Sequence, residues 1–294
     1  MTVALLLVDE VASALRLGEP VVALETTLVS HGFSGAQAAE QRVRAHGAIP
    51  ATIGVVGGAV RVGLDAAELE RFAEAGPAAR KVGARDLAAC AVQGALGATT
   101  AGGTLAVCAS AGIRFMGTGG IGGVHRGFAQ SLDISGDLPQ LARTAAVVVC
   151  SGAKSILDVA ATAELLETLG VPVLGWQTRT LPLFYSADGG PPVSATVSDA
   201  AEVAGIAAAH WQLSPGSGLL LARPPAGGLD LAEVITAAVG RVHRAGVSGQ
   251  AVTPAVLTMI EELSGGRSVA VNQALIADNA ALAAQVAVAY AAGA

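Results

Sequence analysis

The chain has 294 residues, of which 52% are hydrophobic and 14% charged, and its formal net charge is −6. That composition excludes a disordered protein. It also excludes a broad basic face for nucleic acid, while a local anion pocket stays open.

In chain order, the N-terminus "MTVALLLVDEVASALRLG" has no basic leader, and Asp9 and Glu10 interrupt it early, so no signal peptide is expected. "VVALE" predicts a strand over Val21–Glu25, and helical spacing follows over Ala36–His46. "ATIGVVGGAVRVGL" reads as two short strands, Thr52–Val56 and Val60–Val62, around a Gly57-Gly58 hairpin turn. A helix is expected over Ala66–Ala75. The longest uncharged run, Leu87 to Ile113, carries Gly, Gln, Thr and Ser. It suits loop and buried helix (Gly103–Ala111) better than a membrane span. Strands follow at Ile113–Met116 and Ala146–Cys150, then a helix over Ser155–Leu169. Next come strand Val171–Gly175, helix Asp199–Gln212 and strand Gly218–Ala222. Helices Ala232–Ala245, Pro254–Leu263 and Gln273–Ala292 close the chain.

This alternation predicts a three-layer α/β/α fold with a largely parallel central sheet. No repeat or domain boundary interrupts it, so the chain reads as a single domain over 1–294. Cys90, Cys108 and Cys150 lie in apolar contexts without metal spacing. Buried free thiols in a reducing compartment are expected, which points to the cytoplasm.

Parallel sheets place their sites at the carboxyl ends of strands. Lys154, in "VVCSGAKSILD", follows such an end. The chain has 17 Lys and Arg in total, and only Lys81 and Lys154 are lysines. A primary amine can lose its proton and attack a carbonyl, whereas a guanidinium cannot. Lys154 therefore reads either as a Schiff-base lysine or as an anion ligand at a helix end. Lys81, in "RKVGARDL", is either a surface charge on a turn or a phosphate ligand. Glu25 is either a partner of a helix start or a general acid/base at the strand mouth.

"GTGGIGGVHRG" (Gly117–Gly127) contains GxGxxG, but no long helix opens behind it, so a dinucleotide fold is set aside. Its glycines still let backbone N–H groups approach a ligand. Thr99-Thr100-Ala101 precedes a helix, a place for phosphate or an ordinary cap. Asp133 and Asp137, with Ser135 between them, suit a hard cation or turn and capping chemistry. Asparagine is as scarce as lysine, at Asn272 and Asn279. Asn272 is placed at the opening of the last helix, as a heterocycle ligand or an N-cap.

Nine stretches, "VVALETTLVSHG", "GAIPATIGVVGG", "KVGARDL", "GATTAGGT", "GTGGIGGVHRG", "LDISGDL", "VVCSGAKSILD", "GVPVLGWQT" and "NQALIADNAALAAQVA", stand in an order that resembles the pseudouridine-5'-phosphate glycosidase family. The resemblance covers almost the whole chain. It implies an α/β/α homotrimer with a divalent metal, commonly Mn2+. The reaction it implies is reversible joining of ribose 5-phosphate and uracil through a carbon–carbon glycosidic bond. No nucleic acid or membrane partner is implied.

By resemblance, Lys154 forms the imine with C1' of ring-opened ribose 5-phosphate, and Glu25 shuttles the proton of ring opening. Lys81 binds substrate, and the Thr100–Ala101 backbone contacts phosphate. Asp133 is the metal ligand, and Ser135, Gly136 and Asp137 form the adjoining substrate loop. His125 and Asn272 line the sugar and base region.

The sequence departs from the family in places. The segment after "SHG" is shorter and lacks its Pro/Asn content, "KVGARDL" lacks one Arg, and "TTAGGT" and "LARPPAGG" replace the usual stretches. A roomier base pocket is expected, and with it a second reading: a C-glycosynthase for a larger aromatic acceptor.

Overall fold

The computed structural model describes residues 3–30, 35–229, 231–247 and 252–293. Residues 31–34 of the shortened segment lie outside the described residues.

Eleven strands are found among them: β1 (Ala4–Leu7), β2 (Val21–Glu25), β3 (Ile49–Val56), β4 (Ala59–Val62), β5 (Arg80–Val82), β6 (Gly97–Thr99), β7 (Phe115–Gly117), β8 (Val147–Cys150), β9 (Val173–Trp176), β10 (Ala195–Val197) and β11 (Leu219–Ala222). They form one sheet in the order β1-β4-β3-β2-β7-β8-β11-β9-β10, with β6 on β3 and β5 on β6. Only the β3–β4 and β3–β6 pairs are antiparallel; the other pairs are parallel. The β3–β4 pair is the expected hairpin. Val56 faces Ala59 across Gly57 and Gly58, whose φ angles are +59° and +84°. Both lie in the left-handed region that such a two-residue turn requires.

The sheet is buried on both faces, and its strands alternate between two cores. Val21, Ala23, Val148 and Cys150 pack toward the helices Asp9–Leu17, Ala101–Ala111, Val159–Thr168, Ala232–Arg244 and Val252–Ser264. Val22, Leu24, Val147 and Val149 pack toward Gly35–Ala45, Ala200–Leu213 and Arg267–Ala291. This is the expected three-layer fold. The last helix is long and apolar enough to cross a membrane, but over half of its apolar 18-residue window is buried inside the protein. Its apolarity serves the core between helices 35–45 and 200–213. The three cysteines are buried and free, as expected.

Three local expectations are corrected. The helix after β8 starts at Val159, because the Asp158 side chain accepts the Ala161 N–H at 3.0 Å and caps it there. Residues 151–158 are therefore loop. Lys81 lies within a short strand, partly buried, and not on a surface turn. Asn272 does not open the last helix, which begins at Arg267; it lies inside that helix, 6% exposed.

Candidate active site

The adjacent parallel strands β2, β7 and β8 end side by side. Their carboxyl ends carry Glu25, the glycine run that starts with Thr118, and the loop Ser151–Asp158. Two positions in this region leave no room for a side chain. Gly152 has φ +88°, and a Cβ there would stand 2.0 Å from the Pro182 carbonyl oxygen. A Cβ on Gly122 would stand 2.2 Å from Ser135 Oγ. The backbone between these points is fixed: Lys154 N–H donates to the Ile121 carbonyl at 3.0 Å, and Leu157 N–H donates back to Lys154 at 3.0 Å.

One cavity of about 860 Å³ opens over these ends. Lys81, Thr100, His125, Asp133, Ser135, Gly136, Asp137 and Lys154 all line it. Asn272 lines a neighbouring cavity of about 670 Å³ that has Lys81 in common with the first. Ala101 is fully buried at the start of its helix. Glu25 is 2% exposed, and its charge acts on Lys81.

The Glu25 carboxylate accepts two hydroxyls. Thr27 Oγ1 donates to Oε2 at 2.6 Å, and Thr118 Oγ1 donates to Oε1. Both donors fix the orientation of the carboxylate. Among the described residues it takes no helix N–H, so it is not a cap partner.

Thr100 is a cap: its Oγ1 accepts the Gly103 N–H at 3.2 Å. The Asp137 carboxylate accepts the Gly102 N–H at 2.7 Å and the Gly122 N–H at 2.8 Å. It joins the start of helix 101–111 to the glycine run, and its charge suits that helix end.

Burial, and then the charge of Lys154, holds the Lys81 ammonium below the ordinary lysine range. Burial also lowers the His125 pKa; Asp133 opposes this, while Lys81 and Lys154 reinforce it. His125 Nδ1 is 3.8 Å from an Asp133 carboxylate oxygen. With its pKa lowered from 6.5, His125 is neutral at pH 7, so this contact is not an ion pair there. Among the described residues no three His, Cys, Asp or Glu side chains gather as a metal cluster. A carboxylate beside a neutral imidazole still fits one divalent cation whose shell is completed by water.

The sequence reading did not single out Thr118, Arg143 or Asp86. The last two line the larger cavity. For Thr118 a signal existed, since it stands inside the "GTGG" run just past a strand end.

Comparison with known proteins fits this geometry. The family described as "Indigoidine synthase A like protein" matches residues 10–289. The chain belongs to this family. It is 50% identical over 295 residues to a pseudouridine-5'-phosphate glycosidase of Salinispora tropica, covering 96% of this chain and 91% of that protein. It is 45% identical to one of Chloroflexus aurantiacus, covering 95% and 96% of the two chains. Among solved structures, the prealnumycin C-glycosynthase AlnA in complex with ribulose 5-phosphate superposes with a TM-score of 0.91. It shares 38% identity and covers 99% of this chain and 98% of its own. An indigoidine synthase A-like protein of Thermotoga maritima superposes at 0.86, with 33% identity over 97% and 96% of the two chains.

Proposed function

We propose that this chain is a pseudouridine-5'-phosphate glycosidase, reversibly making and breaking the carbon–carbon bond between ribose 5-phosphate and uracil. One observation carries the reading: the chain's two lysines line one cavity and the charge of the buried Glu25 acts on one of them, in a chain near-collinear with such enzymes.

A carbon–carbon glycosidic bond has no leaving-group oxygen to protonate, so a two-carboxylate scheme does not apply. Glu25 moves the proton that opens the ribose ring. The Lys154 amine then adds to the C1' aldehyde and expels water to form an iminium. In synthesis that iminium receives the electron pair of the attacking base carbon. In cleavage the lone pair of the Lys154 nitrogen, bonded to C1', forms the iminium as the C1'–C pair leaves onto the base carbon, which takes up a proton. Lys81 and the Thr100–Ala101 helix start hold the phosphate, with Ser135, Gly136 and Asp137 closing the loop around the sugar. His125 and Asn272 face the sugar and base. Asp133 would hold a divalent cation such as Mn2+, which supplies charge neutralisation beside the phosphosugar. The whole chain works as one domain.

Further parts of the reading come from the resemblance: a homotrimer, checked by light scattering, and a cytoplasmic setting, which the three free cysteines support.

The test is incubation with ribose 5-phosphate, borohydride reduction and peptide mass spectrometry. A pentose-phosphate adduct on the Lys154 peptide is expected. Protein that binds the sugar phosphate without an adduct would be a phosphosugar-binding protein instead.

The second cavity, about 670 Å³, favours one alternative acceptor, a larger aromatic, as the superposition with a prealnumycin C-glycosynthase also suggests. Turnover of uracil equal to or better than that of aromatic acceptors, under one condition, excludes it.

A further inference from the structure

The acid ends a strand and the nucleophile stands on a loop after another, and a buried amide joins their supports. Asn279 is wholly buried in the last helix, among Ala, Leu and Val. Its Nδ2 donates to the Thr118 carbonyl at 2.8 Å and to Ser151 Oγ at 3.1 Å, with the Gly119 carbonyl at 3.4 Å. Thr118 in turn donates its hydroxyl to Glu25. Ser151 opens the loop that carries Lys154, and its N–H donates to the Gly119 carbonyl at 2.9 Å. The helix reaches this point because β7 ends in glycine: a Cβ on Gly117 would stand 2.8 Å from Ala280 Cα.

An amide is a costly filler for an aliphatic core. Here its Oδ1 finds no partner among the described residues. An aliphatic side chain would fill the same space without that cost. What the amide supplies is a fixed spacing between the residue that holds Glu25 and the loop that holds Lys154.

We propose that Thr118 and Asn279 are positioning residues that set the Glu25 carboxylate against the Lys154 loop. Both are wholly buried and line neither cavity. The inference rests on the C-ribosyl reading above. Ring opening and amine addition act on the same sugar, the proton at the ring oxygen and the amine at C1'. A misplacement of about 1 Å between such groups costs on the order of 10²-fold in rate.

The experiment compares Thr118→Val, Thr118→Ser, Asn279→Leu and the Thr118→Val/Asn279→Leu pair. It reads kcat and the ribose 5-phosphate KM in the synthesis direction, and the borohydride-trapped adduct. Thr118→Val should lower kcat by about 10²-fold with KM within roughly twofold. Thr118→Ser, which keeps the hydroxyl, should recover most of that loss. Asn279→Leu should lower kcat, and the double variant should lose little more than Thr118→Val alone, because the two act as one unit.

Full kcat in Thr118→Val overturns the proposal. So does a Thr118→Ser variant as slow as Thr118→Val, because that places the effect in packing, and so do fully additive losses. If Asn279→Leu does not fold, the valine–serine contrast decides by itself. Wild-type protein that forms no adduct overturns the functional reading and this proposal together. A wild-type adduct with indifferent variants overturns this proposal alone.

Discussion

Lys81 on a strand and Lys154 on a loop, the chain's two lysines, face one cavity, and after burial it is the charge of Lys154 that most weakens the hold of Lys81 on its proton. A lysine with a folded pKa below its unfolded value binds its proton less tightly when folded. It therefore costs stability at neutral pH, and the cost fades as pH rises from the folded pKa toward 10.5. Lys81→Met should melt higher than wild type at pH 7, with the gap closing toward alkaline pH. Its affinity for ribose 5-phosphate should drop by about 10- to 100-fold, the loss expected for one charged hydrogen bond. Melting curves across pH and a ligand titration check both.

The same substitution reports on His125. Removing the Lys81 charge takes away one of the influences that hold the His125 pKa down. The ring titration, followed by NMR at the C2 proton, should move upward in Lys81→Met. An unchanged or lower value would contradict the cavity's electrostatics. Because the folded pKa is depressed, the unfolded chain binds the proton more tightly, so the His125 contribution is lost as pH falls below about 6.5. His125→Gln should lessen the acid sensitivity in that window.

Lys154→Arg keeps the positive charge and removes the nucleophile. It should still bind ribose 5-phosphate, form no reducible adduct and lose at least ~10³-fold in kcat. Glu25→Gln should retain binding and slow turnover by about 10²- to 10⁴-fold. Adduct yield and steady-state rates separate the two.

Asp137→Ala tests the joint between the glycine run and helix 101–111. It strips the acceptor from two buried N–H groups, Gly102 and Gly122. A loss of about 3 kcal/mol is expected, since an unpaired buried donor costs its desolvation. Denaturant unfolding reads it. A variant as stable as wild type would show that the joint is not needed.

The strands that hold the site were legible where apolar runs were long enough. Val21–Glu25 matches its predicted bounds, and Val147–Cys150 differs from the prediction by one residue at its start. β5, β6 and β10 were not, because three-residue strands such as Arg80–Val82 have too few side chains to show a period. β1 and the helix Asp9–Leu17 were missed in an N-terminal stretch read only for a leader signal. The start at Val159 was missed because Asp158, a cap, sat inside an apparently helical run. At the site, residue types gave Glu25 and Lys154. The double use of the Asp137 carboxylate was invisible, since its partners are 35 and 15 residues away. The pairing of Glu25 with Thr118 spans 93 residues and appears only when β2 and β7 lie side by side.

That last span bears on how the enzyme comes into being. Four strands, β3 to β6, stand between β2 and β7 in the chain, and all four lie on the other side of β2. Long-range parallel pairing of this kind is slow, because the loop-closure cost falls due before the contacts form. The pocket is therefore a late product of folding. A chain still on the way to its native state holds the amine and the carboxylate apart, and it acquires its chemistry only when the middle of the sheet closes.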